Sequence, residues 1–309
     1  MSALFVMRLG AIIATALFIR YVPNYSVYLT ALLALGMSHY VLSFYYAKDT
    51  MVRLKNDRGT YLPLVALVGM GAIIMFGNTD YFDGHTRKLL FYFGIHHTFN
   101  EVYLSQRVIR SKDESNVALF RGAAIILHLS IYLAVLCNEE ELVTLGTRAP
   151  LAFLMVGIAG YVYALTRVWG EIPKANRIDF LGFEALGVGM AFAALAGVLY
   201  VTFLDTVLYH FVFWFAYPVE RLIAARKSVR NYAVAAVGIA ALLIVFSPIG
   251  VIPYAPGTKP YMAYLSLFYI SSHIHITLSF ALSTAQPAWI VRFFAPSRAV
   301  IPAGARATA

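Results

Sequence analysis

The sequence predicts an all-α fold: a polytopic transmembrane bundle of about ten helices. Hydrophobic residues make up 61% of the 309 residues and charged residues only 13%, and the mean hydropathy is +0.72. This composition excludes an ordinary soluble domain. The apolar residues form continuous runs of about 18–24 residues, the length at which a helix crosses a bilayer. The runs lack the period-two alternation of a β-barrel strand.

Ten such runs follow one another along the chain, separated by short loops. They lie near residues 3–20, 26–47, 60–77, 88–106, 116–137, 149–168, 180–203, 205–222, 231–252 and 261–284. The division between the seventh and eighth runs, at Asp205, is the least distinct. Arg8 interrupts the first run, so we interpret that run as a helix rather than a signal peptide. We expect one transmembrane domain over 1–290 and a disordered cytoplasmic tail over 291–309.

The positive charges predict the orientation of these helices. With the N-terminus inside, 19 of the 24 Lys and Arg residues fall on one side of the layout. Cytoplasmic loops carry such an excess, so both termini are expected in the cytoplasm. The excess of Lys and Arg in cytoplasmic loops then explains most of the net charge of +9. No basic domain or motif indicates nucleic-acid binding. We expect the lipid bilayer as the surroundings, in a bacterial cytoplasmic membrane.

The histidines are the polar residues that stand out within these runs. All of them except His85, which we expect in an outer loop, lie inside a predicted helix. The second predicted helix carries His39, and the fourth carries His96 and His97. The eighth carries His210, and the tenth carries His273 and His275. These four helices run in one direction, so their histidines are expected in one layer. Several imidazoles within membrane helices indicate a metal or cofactor site. His128 lies on a helix that runs in the opposite direction, and we expect it to form a structural hydrogen bond.

Neutral imidazoles are ligands for iron, zinc or copper, and three or four of them leave a coordination position open for a reactant. The candidate metal ligands are His39, His96, His210 and one of His273 and His275, with His97 as a replacement. Adjacent residues of a helix point about 100° apart. Only one member of the His96–His97 pair is therefore expected to reach a shared centre.

Polar and aromatic residues surround these histidines in the sequence. Asn100 and Glu101 follow His96 and His97 by four residues each, so each shares a helix face with its histidine and can orient it. Glu184 is a carboxylate inside a predicted span, which indicates either a functional group or a helix-packing contact. The candidate substrate-lining residues are Phe93, Phe99, Phe211 and Trp214, although aromatic residues are common in membrane helices of any function.

Four motifs, in their order and spacing, resemble a known family. They are GMSHYVLSF before a basic loop, GIHHTFNEVY, Gly182-Phe183-Glu184 followed one helix later by His210-Phe211-Val212-Phe213, and the late His273-Ile274-His275. Together they resemble the Brp/Blh membrane proteins, iron-dependent 15,15'-dioxygenases that split β-carotene into two retinals. The resemblance implies Fe(II) as cofactor, dioxygen as co-substrate and a long hydrophobic, carotenoid-like substrate. The residues that it implies as iron ligands are His39, His96, His210 and His273 or His275.

The chain departs from this pattern at one expected ligand. The family pattern resembles H-x-x-x-H before the third site, whereas Thr206 stands four residues before His210 here. His97, His128 or the second histidine of the HIH pair would then supply a fourth donor, or three imidazoles would hold the ion. The first motif also has Ser38 and Ser43 where the family commonly has a proline and an acid. A related chain on one scaffold can differ in substrate.

Two other classes of function remain open. Opposed histidines can clamp a haem, which would make the chain an electron carrier. Alternatively, the chain is a non-enzymatic membrane subunit or a transporter, without a cofactor, in which histidines relay protons or bridge helices. A Soret band in the purified protein would select haem, and a lack of stoichiometric metal would favour the subunit or transporter.

Overall fold

The described residues of the computed structural model form helices joined by short connections. These residues are 3–22, 24–55, 82–106, 113–139, 146–224, 228–246 and 259–282, with the isolated positions Val65, Gly69, Ile109, Leu142 and Val143. The helices are α1 (Ala3–Tyr21), α2 (Tyr25–Lys55), α3 (Phe82–Gln106), α4 (Glu114–Val135), α5 (Arg148–Val168), α6 (Lys174–Leu195), α7 (Phe203–Ala224), α8 (Val229–Phe246) and α9 (Lys259–Leu282). A 3-10 turn at Trp169–Glu171 follows α5. No described residue lies in a β-strand, which confirms the all-α prediction.

Four of the described helices are long and apolar enough to cross a membrane. They are α1, α4, α5 with its 3-10 extension to Glu171, and α6. Shorter apolar helical stretches lie at Val27–Ser43, Phe203–Val219 and Val229–Leu242. These lengths support the prediction of a membrane protein. The predicted helix at 60–77 lies outside the described residues except for Val65 and Gly69, which are helical, so the count of ten helices and the positions of the termini stay predictions.

The seventh predicted helix, 180–203, is displaced in the structure. The helix α6 begins at Lys174 and ends at Leu195. It ends there because Gly197 adopts a positive φ of 70° and the backbone amides of Val198 and Leu199 donate hydrogen bonds to the carbonyl of Ala193. A glycine in this conformation ends a helix at little steric cost. The hydropathy of the sequence continues past this turn and did not reveal it.

A capping box begins the following helix and accounts for the division near Asp205. The backbone amide of Thr202 donates to the Asp205 carboxylate over 2.8 Å, and the amide of Asp205 donates to the Thr202 hydroxyl over 3.2 Å. Each side chain satisfies the amide of the other at a helix start. Helix α7 therefore begins at Phe203.

The prediction that His85 lies in a loop is wrong. His85 is in the helical backbone of α3, which begins at Phe82 rather than near residue 88. Helix α2 likewise continues to Lys55, beyond the predicted end near residue 47. A hydropathy pattern marks the apolar part of a helix only, whereas backbone hydrogen bonding continues into polar residues that are themselves compatible with helix.

An aspartate cap begins helix α4. The side chain of Asp113 accepts hydrogen bonds from the backbone amides of Ser115 and Asn116. The hydrogen bond from the Ser115 hydroxyl, followed by those from the two amides, lowers the pKa of the Asp113 carboxyl. A carboxylate at this end of a helix also has a favourable interaction with the helix dipole.

The chain divides into two compact units. Unit 1 comprises Met1–Ala16 and Phe93–Tyr217, and unit 2 comprises Leu17–Tyr92 and Pro218–Ala309. In unit 2, α2 packs against α8 and α9. The expected single domain over 1–290 stays a prediction, and the tail at 291–309 lies outside the described residues.

In unit 1, helix α4 packs against both α5 and α6. The ring of Phe120 lies between Tyr161 and Phe180, with centroid distances of 5.3 and 6.2 Å. Helix α5 approaches α4 closely at Gly157. A Cβ at this position would be 2.6 Å from the Ser130 hydroxyl oxygen and 3.1 Å from a backbone atom of α4. Small residues permit such close packing of membrane helices.

We expect Gly157→Ala to destabilise the protein by about 1–3 kcal/mol, because the added methyl group forces α4 and α5 apart. Gly160→Ala, on the same helix, is the matched control, since a Cβ there meets nothing within 4 Å. That control should leave stability unchanged or raise it by about 1 kcal/mol or less. Unfolding of both variants in detergent measures the difference, and equal stabilities would contradict the close packing.

Candidate functional site

In unit 2, two candidate ligands meet side by side. The Nε2 atoms of His39 on α2 and His275 on α9 are 3.2 Å apart, and the planes of the two rings are inclined at 68°. Both residues are buried. Beside them, the hydroxyls of Tyr40 and Ser272 form a hydrogen bond of 2.6 Å, and the ring of Tyr40 lies 5.0 Å from that of His275. These contacts hold α2 and α9 in register at the imidazole pair.

The structure distinguishes the two histidines of the HIH sequence. His275 contacts His39, whereas the ring of His273 packs on Tyr92 at a centroid distance of 5.4 Å. The Tyr92 hydroxyl is hydrogen-bonded to Thr277 over 2.8 Å. Residues two apart on a helix point about 200° from each other. His273 and His275 therefore have different neighbours, and the residue beside His39 is His275.

The separation within the His39–His275 pair fits a metal site. Two nitrogens that are each about 2.1 Å from one ion, with an angle of roughly 90–110° at the ion, lie about 3.0–3.4 Å apart. The observed 3.2 Å falls within this range. The same distance fits a hydrogen bond in which one Nε2 donates and the other accepts. In either arrangement, at least one of the two Nε2 atoms carries no proton.

Unit 1 brings together the other candidate ligands. The rings of His96 on α3 and His210 on α7 have a centroid distance of 5.2 Å, and each residue is only 2% exposed. The side-chain amide of Asn100 is 3.0 Å from Nε2 of His96. Asn100 thus orients His96, as the spacing in the sequence predicts. Metal binding by His96 through Nδ1 would require the Asn100 amide to present its oxygen to Nε2–H, because only then does Nδ1 carry no proton.

His97, the proposed replacement ligand, is surrounded by aromatic rings. The ring of Phe93 stacks on it with an interplanar angle of 8° and a centroid distance of 5.9 Å. Tyr209 and Tyr132 lie at 6.0 and 6.2 Å. The ring of His97 is 6.1 Å from that of His210, compared with 5.2 Å for His96. Both members of the His96–His97 pair therefore approach His210 in unit 1.

Aromatic residues also surround His210. Phe93 lies edge-on to His210 at 5.2 Å, and Phe211 and Trp214 follow at 5.9 and 6.0 Å. Three of the four predicted substrate-lining residues therefore contact the same imidazole. The fourth, Phe99, is buried. This arrangement provides apolar surroundings for His210, and the predicted substrate tunnel stays a prediction.

The polar residues expected to support a metal have other partners in the structure. Glu101 is paired with Arg8 of α1. The Oε2 atom of Glu184 lies 3.4 Å from Nε2 of His128, and its Oε1 atom accepts a hydrogen bond of 3.1 Å from Ser105. Glu101 thus forms an ion pair with another helix, and Glu184 lies beside an imidazole of another helix. The expectation that His128 is a structural hydrogen bonder stays open, because its contact is with an ionisable group.

Thr206, which replaces a histidine of the family pattern, is turned to the backbone. Its hydroxyl donates a hydrogen bond of 2.7 Å to the carbonyl of Phe203 in the first turn of α7. This is a local contact typical of threonine in a membrane helix. Thr206 therefore occupies the position of the expected ligand without an imidazole.

Arg8 is a buried residue whose position in the sequence indicated only that the first run is a helix rather than a signal peptide and added to the count of positive charges. Its guanidinium pairs with Glu101 and lies 3.8 Å from the centroid of the Phe183 ring. A charged residue inside an apolar run is itself a sign of a buried partner, so the sequence contained the signal. The partner is 93 positions away along the chain, and its identity required the structure.

No known protein family matches the sequence, and no curated protein or solved structure is similar to the chain. The resemblance to the Brp/Blh proteins therefore stays a prediction from the motifs. His39 and His275 belong to unit 2, and His96 and His210 belong to unit 1. The prediction that all four bind one ion stays a prediction as well.

We expect Arg8→Met to destabilise the protein by about 3–5 kcal/mol, because it leaves the carboxylate of Glu101 buried without its partner. The double variant Arg8→Met/Glu101→Leu should recover most of this loss, since neither charge remains. Arg20→Met, at an exposed position of the same helix, is the control and should have little effect. Unfolding in detergent measures all three variants, and a double variant no more stable than Arg8→Met would contradict the pairing.

Proposed function

We propose that the chain is an integral-membrane oxygenase in which buried imidazoles hold a non-haem metal ion. The observation that supports this proposal best is the 3.2 Å separation between Nε2 of His39 and Nε2 of His275. Two nitrogens placed in this way are suited to bind one ion. His96 and His210 are proposed as further ligands, as the sequence predicts.

The resemblance to the Brp/Blh proteins makes Fe(II) the proposed metal and a carotenoid-like polyene the proposed substrate. When bound, Fe(II) would supply the activation of dioxygen for scission of a polyene double bond. The chain would supply the ligands and a water-excluded setting. Burial of His39, His275, His96 and His210 agrees with that setting, because an apolar interior keeps water from reactive species.

The aromatic residues around His210 suit a long hydrophobic substrate. Rings of Phe93, Phe211 and Trp214 lie within about 6 Å of the imidazole and would pack against an apolar chain through dispersion contacts. Asn100 would hold His96 in a fixed tautomer through the contact at Nε2. The aromatic residues would therefore bind the substrate, and Asn100 would orient the proposed ligand His96.

The geometry of the His39–His275 pair speaks against haem at these two residues. Two imidazoles that would hold a haem between them must leave room for the porphyrin. The two Nε2 atoms are only 3.2 Å apart, with the rings inclined at 68°. This arrangement places the nitrogens beside each other, as ligands on one side of an ion.

A transporter or a non-enzymatic membrane subunit is the second candidate. The observation that favours it is the pair of buried ionisable contacts in unit 1, Arg8 with Glu101 and His128 with Glu184. Intramembrane charges of this kind are typical of ion and proton pathways. On this reading, the His39–His275 contact is a hydrogen bond between helices.

Metal analysis of the purified chain tests the proposed ion. We expect the unmutated protein to contain iron in stoichiometric amount and His275→Ala to lose at least tenfold in iron content, because one of two adjacent ligands is removed. His273→Ala is the matched control, two residues away on the same helix, and should keep its iron. A metal-free unmutated protein, or equal losses in the two variants, would contradict the proposed site.

Expression in a bacterium that makes β-carotene tests the proposed substrate. We expect loss of the orange colour together with formation of retinal. The variants His39→Ala and His210→Ala should keep the colour because each lacks a proposed ligand, whereas the control His85→Ala should lose it. Retained colour with the unmutated protein verified in the membrane would exclude β-carotene. Iron found in that same protein would then point to an oxygenase with another substrate.

A further inference from the structure

Each of the four described helices that are long and apolar enough to cross a membrane contributes a buried polar side chain to the interior of unit 1. These residues are Arg8 of α1, His128 of α4, Tyr161 of α5 and Glu184 of α6. We refer to these four residues as the four-span cluster. Ionisable side chains buried among apolar helices are costly, so their occurrence on all four of these helices indicates a function.

Contacts connect the members of the four-span cluster at Glu184. Its Oε2 atom is 3.4 Å from Nε2 of His128, and its Oε1 atom accepts the hydrogen bond from Ser105 on α3. The Tyr161 hydroxyl interacts electrostatically with Glu184, yet it has no hydrogen-bond partner within the described residues. Arg8 packs on the ring of Phe183, the neighbour of Glu184 in the chain.

The charges of the cluster favour a proton at the His128–Glu184 pair. Arg8 and Glu101 compensate each other through their ion pair, which leaves Glu184 as a second carboxylate in apolar surroundings. A buried carboxylate without compensation is strongly disfavoured. One proton removes this excess charge, whether it is bound to the carboxylate or to the imidazole. Nε2 of His128 and Oε2 of Glu184 are 3.4 Å apart, are buried and make no hydrogen bond within the described residues, and either atom can accept that proton.

We propose that His128 and Glu184 form a proton-binding site within the membrane-crossing helices of unit 1, separate from the imidazoles of the proposed metal site. The site takes up one proton from hydronium, which becomes water, and the proton forms an N–H bond at Nε2 or an O–H bond at Oε2. Transfer between the two atoms breaks one of these bonds and makes the other, with no change in total charge. Release of the proton to water restores a carboxylate and a neutral imidazole.

Several groups on neighbouring helices influence this site. On α1, Arg8 disfavours uptake of the proton through its positive charge. On α3, the carboxylate of Glu101 favours uptake, and the hydrogen bond from Ser105 favours the carboxylate form of Glu184. His97 of α3 interacts electrostatically with His128, and Tyr161 of α5 with Glu184. The site is thus enclosed by polar groups from several helices, as intramembrane proton sites require.

Infrared difference spectroscopy of the full chain in lipid nanodiscs tests the proposal. Spectra recorded between about pH 5 and about pH 9 span the range in which histidine commonly titrates. We expect carboxyl and imidazole bands that change with pH and that both Glu184→Gln and His128→Gln abolish. Asp179→Asn, the matched carboxylate substitution on α6, should retain these bands. Bands that persist in both of the first two variants, or no change with pH at all, would overturn the proposal.

A milder variant keeps the test decisive if either of those two proteins fails to fold. Ser105→Ala removes only the hydrogen bond to Glu184, which stabilises the carboxylate. We expect the midpoint of the titration to move to higher pH by about one unit. A purely structural contact between His128 and Glu184 would show no titration to shift, and an unchanged midpoint would contradict the assignment to Glu184.

Discussion

The cost of burying charged and imidazole side chains among apolar helices, and the resulting requirement for partners, governs the described pairs of this structure. An ionisable side chain without one would lose its hydration and gain nothing in return. The protein meets this requirement by pairing residues from different helices: His39 with His275, Arg8 with Glu101, and His128 with Glu184. Each pair fixes the register between two helices that dispersion contacts alone would leave free to slide.

This requirement also explains why the two units carry different chemistry. In unit 2 one of the described buried contacts joins two imidazoles, neither of which needs a counter-charge when neutral. In unit 1 the described contacts include carboxylates, and each carboxylate has a cation or a protonatable group beside it. Neutral imidazoles suit metal ligation, whereas a carboxylate beside an imidazole suits proton binding. The proposed metal site and the proposed proton site therefore follow from different pairings.

Composition and periodicity predicted the helical fold because long apolar runs have few alternatives in lipid. The sequence also identified Asn100 as the partner of His96, since a spacing of four fixes neighbours on a helix. It did not identify the partners of Glu184 or Arg8, because contacts between distant helices depend on how the helices rotate and pack. For the same reason the sequence left His273 and His275 undistinguished. The end of α6 at Leu195 was missed because one glycine conformation, invisible to hydropathy, determines it.

Thr206 affects the proposed metal site without affecting the backbone of helix α7. Its hydroxyl is satisfied by the carbonyl of Phe203, so the first turn of α7 accommodates it without rearrangement. A site with one imidazole fewer would hold its ion less tightly and leave one more coordination position open. A change in reactivity or substrate is then compatible with an unaltered helix. If the proposed resemblance to the Brp/Blh proteins holds, the threonine at this position bears on the proposed chemistry and leaves the helical backbone of α7 unaltered.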